Sequence, residues 1–127
     1  MIGDEITINK LEINNKVFED IKHIDNDGVE YWLARELQNV LEYSQWRRFE
    51  EVIEKAKISY KISNNNISDH FANIGKMIVI GSKTKRKVND YKLSRYACYL
   101  IVQNANPKKV TVALGQTYFA VQTRNLI

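Results

Sequence analysis

Between Ser82 and Lys87 the chain carries Lys83, Lys85, Arg86 and Lys87, four cations in five residues. Charges this dense belong in water, and each can meet a phosphate and release a counterion without reading sequence. The bland alternative is a solvated turn whose charges serve solubility. Lys92, Arg95, Lys108 and Lys109 extend the patch if the flanking elements face the same way. A second basic pair, Arg47 and Arg48, follows Gln45 where a helix begins, the position from which side chains reach base edges in helix-turn-helix proteins. Glu50, Glu51 and Glu54 crowd that same helix and would repel a phosphate backbone. Tyr91, Tyr96 and Tyr99 could stack on unpaired bases, although Tyr96 and Tyr99 read better as core residues with hydroxyls at the rim.

Catalytic chemistry has less support. His23 near Asp25 and His70 beside Asp69 are the imidazole–carboxylate pairs, and such neighbours more often partner turns and caps. Ser94 reads as a helix N-cap rather than a nucleophile. No GxxxxGK, GxGxxG or HExxH is present, so nucleotide and zinc sites lack a signature. The single cysteine, Cys98, cannot form an internal disulfide, and its apolar neighbours favour a buried thiol. The residues point to a non-enzymatic protein without cofactor or metal.

Charge is divided along the chain. Residues 1–54 hold 6 Lys/Arg against 13 Asp/Glu, a balance of −7, while residues 55–127 hold 13 against 2, or +11. A polyanion-facing surface on the basic half explains this division; so does neutralisation of one half by the other, within the fold or between subunits. At 127 residues the chain is one domain with a core of its own. No apolar run approaches the roughly 20 residues of a membrane span, and Asp4 and Glu5 stand where a signal peptide would be positive. The expected location is the cytoplasm.

The element that must position these groups is the helix after Ser94. Ala97, Cys98, Leu100, Ile101 and Val102 surround its axis instead of forming a stripe, so it should run through the middle of the domain. Before it, residues 76–80 read as a strand closed by Gly81, residues 82–87 as a basic loop, and residues 88–93 as the returning strand. Together they form a hairpin projecting like the wing of a winged-helix protein. Upstream, residues 1–16 read as an N-terminal arm, frayed or adding an edge strand, ahead of a domain over 17–127. Phe18, Ile21 and Ile24 recur as on a short helix, Asp27-Gly28 marks a turn, and residues 29–32 suit a strand. Residues 34–41 and a longer amphipathic segment from Gln45, with Ser44 as its cap, form a helix pair. Residues 63–66 read as a loop, and Ser68-Asp69 as the cap of a turn carrying His70. Downstream, Asn106 and Pro107 announce a last helix, antiparallel to the central one, in which Gly115 serves close packing against Ala97. Nothing from Asn125 onward signals a stop, so the chain reads as cut off.

In this order and spacing the motifs resemble the N-terminal domain of the bacterial DNA-damage-inducible protein D family, itself similar to the BRO-N domain of phage antirepressor-like proteins. The resemblance runs from about Phe18 to Arg124. It is carried by residues 18–23, Trp32 with residues 34–37, Leu41 with Tyr43-Ser44, Arg47 with Phe49, residues 69–71, residues 93–100, Asn104 with Pro107, and residues 115–124. Leu33, where a small capping residue is usual, and Glu42, where glycine is usual, depart from it. The resemblance implies an α+β BRO-N-like fold and a role in the SOS response, with DNA, single- or double-stranded, or a RecA-type recombinase filament as partner. Family members continue beyond Arg124 with a helical part. A homodimer, joining the basic surface to the acidic region of a second copy, is the alternative assembly.

Overall fold

The computed structural model describes residues 16–63 and 70–124. Residues 1–15 of the N-terminal arm, residues 64–66 of the Asn-rich loop with the Ser68-Asp69 cap, and the residues from Asn125 onward therefore lie outside the described residues, while Ser63, expected in the loop, ends a helix. The elements are α1 (residues 16–20), β1 (His23–Ile24), β2 (Glu30–Leu33), α2 (Ala34–Val40), α3 (Trp46–Ser63), β3 (Phe71–Ile80), β4 (Thr84–Leu93), α4 (Arg95–Asn104) and α5 (Val110–Arg124). The strands form an antiparallel sheet in the order β1-β2-β4-β3. No helix among the described residues is long and apolar enough to cross a membrane.

The fold is mixed α+β, with α4 central as its side chains require. Ser94 Oγ accepts from the Ala97 amide at 3.0 Å, satisfying one orphan donor of the first turn. Ala97, Cys98, Ile101 and Val102 are fully buried, and α4 packs against α3, α5, β2 and β4. Burial pushes the Cys98 thiol well above its ordinary pKa, which keeps it neutral. An aromatic cluster of Phe18, Trp32, Tyr118 and Phe119 closes the side next to α5, with ring centroids 4.8–5.3 Å apart. Each such buried ring contributes about 1.5–3 kcal/mol of transfer free energy.

Several local expectations change. Gly115 does permit a close approach, but to Phe18 Cζ and Val102 Cγ1, which an added methyl would meet at 3.0 and 3.1 Å, and not to Ala97. Asn106 shapes a turn, its Oδ1 accepting from the Lys108 amide at 3.0 Å, and α5 starts only at Val110. Similarly, α3 starts at Trp46, two residues past Ser44. The run Phe18, Ile21, Ile24 splits: Phe18 is buried, whereas Ile24 lies exposed on β1.

The two departures from the family pattern are accommodated in different ways. Leu33 occupies the N-cap of α2 without a side-chain bond. Its work is done by Asp90 of β4, whose Oδ1 accepts from the Arg35 amide at 3.0 Å and the Tyr91 amide at 2.8 Å. Glu42 adopts φ 62°, the one positive value outside glycine among the described residues. The turn between α2 and α3 demands that left-handed conformation, so the glutamate carries strain that a glycine would not.

Candidate nucleic-acid interface

Strand β2 meets β4 at two positions, Trp32 with Leu93 and Leu33 with Lys92. By contrast β3 pairs with β4 along its whole length, from Phe71 with Leu93 to Ile80 with Thr84. Past the short β2 contact the sheet therefore continues as a two-stranded ribbon. Gly81, at φ 67°, makes the tight reversal at its end.

Of the four clustered cations, Lys83 alone sits in the turn; Lys85, Arg86 and Lys87 lie on β4. The expected basic loop is thus mostly strand, because residues 84–88 complete the ladder begun by residues 76–80. Alternation along β4 puts Lys85 and Lys87 on one face, opposite Val79 and Met77, and Arg86 on the other, opposite Ile78. All four side chains are exposed, and none has a carboxylate within salt-bridge distance among the described residues. Lys87 lies across Gly75, whose missing side chain leaves room for it.

At the base of β4 the cations are matched instead. Lys92 Nζ stands 3.7 Å from Asp25 Oδ2 and 4.4 Å from the centre of the Tyr31 ring. The Val29 amide, against some desolvation, and then the Asp27 amide and Lys92 hold the Asp25 carboxyl below its ordinary range. Arg95 is a correction to the expected phosphate-binding set. Only 7% exposed, it donates from Nε to Glu30 Oε2 at 2.5 Å and from Nη2 to Glu30 Oε1 at 3.1 Å. Its guanidinium also lies 5.0 Å from the Trp32 ring and 5.3 Å from that of Tyr118. Burial opposes the charge, but the hydrogen bonds to Glu30 and Tyr118 outweigh it and raise the Arg95 pKa. Arg95 is a buried residue whose charge is engaged by Glu30.

Arg47 and Arg48 are exposed on the first turn of α3, apart from the ribbon in their surroundings. Arg47 borders a shallow depression with Glu50, Glu51 and Glu54. Arg48 lines a cleft of about 430 Å³ with Tyr43, Glu51, Lys55, Asn106 and Lys109. Lys109, placed in sequence with the hairpin patch, belongs to this cleft and donates to the Glu42 carbonyl at 3.0 Å. Tyr91 is buried with Lys57 Nζ 4.4 Å from its ring centre, and Tyr96 and Tyr99 stack on each other at 6.2 Å, half-buried. These rings are core and rim groups.

The histidines also have structural partners. His23 Nε2 lies 2.6 Å from Glu36 Oε1, and His70 Nδ1 lies 2.6 Å from Ser94 Oγ, the oxygen already capping α4. No group of three or more metal-ligating side chains occurs among the described residues. What the sequence reading missed is the apolar partner of the cationic strand: Met77, Val79 and Ile80 are 59%, 67% and 41% exposed. The signal was there in four consecutive apolar residues, 77–80, facing a strand too charged to cover them.

Comparison with known proteins places this geometry in context. The sequence matches the model of the BRO family, N-terminal domain, over residues 20–120. It is 50% identical over 111 residues to DNA damage-inducible protein D of Escherichia coli (strain K12), an alignment covering 87% of this chain. The chain spans 40% of the length of that curated relative. No solved structure matches.

Proposed function

Because the chain belongs to the BRO family as its N-terminal domain, we propose that it is a non-enzymatic nucleic-acid-binding module that grips phosphates with the β3–β4 ribbon. The observation that carries this reading is the set Lys83, Lys85, Arg86 and Lys87, exposed and unmatched by carboxylates among the described residues. A two-stranded antiparallel ribbon is narrow enough to enter the major groove of B-DNA, with cations on both faces directed at the flanking backbones. Cations on flexible stems contact phosphates regardless of sequence, so affinity rather than base discrimination is the expected product. A place in the DNA-damage response is supported by the relative's printed name. If the single-stranded form is preferred, the same contacts would bring the domain to a RecA-type recombinase filament. The second reading, a protein-interaction module like the phage antirepressors, is favoured by the exposed apolar residues of β3.

The test is an anisotropy titration of single- and double-stranded oligonucleotides with the wild-type chain and with a variant carrying Lys83→Glu, Lys85→Glu, Arg86→Glu and Lys87→Glu. Loss of binding in the variant, with its thermal melt intact, is the expected result. Equal binding by both proteins would remove the ribbon from the interface.

A further inference from the structure

The two edges of the ribbon are not alike. In the strand order β1-β2-β4-β3 the outer edge of β3 has no strand beside it among the described residues, and β4 is equally bare beyond its short contact with β2. The β4 edge carries Lys85, Arg86 and Lys87, charges of the kind that keep another strand away. The distal part of β3 carries one charge, Lys76, followed by Met77, Ile78, Val79 and Ile80. Three of these are β-branched, and no proline, bulge or acidic residue blunts the edge. Their side chains alternate between the two faces, and Met77 and Val79 keep 59% and 67% of their surface in water.

We propose that this edge pairs antiparallel with β3 of a second copy, about a two-fold axis that sets Ile78 against its own counterpart. In that register Met77 of one copy faces Val79 of the other, and Lys76 faces Ile80. Apolar side chains then meet apolar ones across the central positions, and the single cation never meets its equivalent. Registers closer to the base replace these pairs with Gly75 or Lys76, ending with Lys76 opposite Lys76, which like-charge repulsion disfavours. This self-complementarity selects a second copy over an unrelated strand. The joined ribbons form a four-stranded sheet, β4-β3-β3-β4, with the cationic strands outermost. The cations stay in water and their number doubles. So short an overlap buries far less than the about 1,600 Å² of a stable complex, so the dimer is weak and concentration-dependent.

Sedimentation equilibrium of the chain without nucleic acid, over micromolar to millimolar loading, tests this independently of DNA binding. Mass rising from monomer toward dimer is expected, with Ile78→Lys returning it to monomer at an unchanged melting temperature. Mild oxidation of Ile78→Cys should trap a disulfide-linked dimer, while Val110→Cys, on α5 and more exposed than the half-buried Ile78, should not; the native Cys98 is buried and does not interfere. A monomer at every concentration, a dimer that persists in Ile78→Lys, or equal trapping of the two cysteine variants would each overturn the pairing.

Discussion

The two ends of β4 treat the same kind of side chain in opposite ways. At the base, Lys92 and Arg95 just beyond it are met by Asp25 and Glu30, carboxylates from the acidic half of the chain. At the tip, Lys85, Arg86 and Lys87 extend past every described carboxylate. Neutralisation of one half by the other is therefore seen at the base, and the polyanion-facing reading rests on the tip. Where the halves touch, opposite charges fix the fold; where the ribbon leaves the body, charge stays unmatched among the described residues. Ion pairs withdrawn from water stabilise only as complete sets, whereas exposed cations are nearly neutral to stability and available for binding.

The sharpest way to break this contrast is Glu30→Ala. It leaves the Arg95 guanidinium buried without its partner, and a loss of about 3 kcal/mol in urea unfolding is expected. Lys85→Ala at the tip should stay within about 0.5 kcal/mol; similar costs at both sites would erase the distinction. Next comes Asp90→Ala, which orphans the Arg35 and Tyr91 amides where α2 meets β4 and should cost about 1–2 kcal/mol by the same measurement. Glu42→Gly moves the other way. Relieving a left-handed glutamate, less the entropy glycine loses, should stabilise by about 0.5–1 kcal/mol, and a loss would show that the Thr111 hydroxyl's bond to the Glu42 carboxylate matters more.

The smallest effect concerns pH. Burial works to raise the Glu19 pKa, but hydrogen bonds from Lys22 and Tyr118 outweigh it and hold the carboxyl below its ordinary range. A depressed folded-state pKa contributes stability that is complete above the ordinary carboxylate value and is lost as pH falls through the lowered one. Melting temperatures followed into acid should therefore decline less steeply in Tyr118→Phe than in the wild type. Lys83→Ala at the tip should leave the acid limb unchanged.

How much of this the sequence disclosed depended on the distance between partners. Ser94 and its helix were legible because a cap and the residue it caps are neighbours. Gly115 was legible as a close approach, but Phe18, which it approaches, is supplied by the far end of the chain. Arg95 could not be recognised as buried from its surroundings, since Glu30 lies 65 residues away. Asp90 caps a helix 55 residues upstream, and its sole hint was its being one of only two carboxylates in a basic half. The reach of β4 was hidden because Thr84–Lys87 has no apolar alternation; it is a strand by virtue of what lies opposite, a property no single segment displays.

The central claim is that four unmatched cations at the ribbon tip carry the contact with nucleic acid, and the salt dependence of binding reads that number directly. For duplex DNA the slope of log K against log salt is about −0.9 per phosphate neutralised, so replacing Lys83, Lys85, Arg86 and Lys87 by glutamine should reduce its magnitude by about 3.6. An unchanged slope in that variant would contradict the claim, because the phosphates would then be held elsewhere on the molecule.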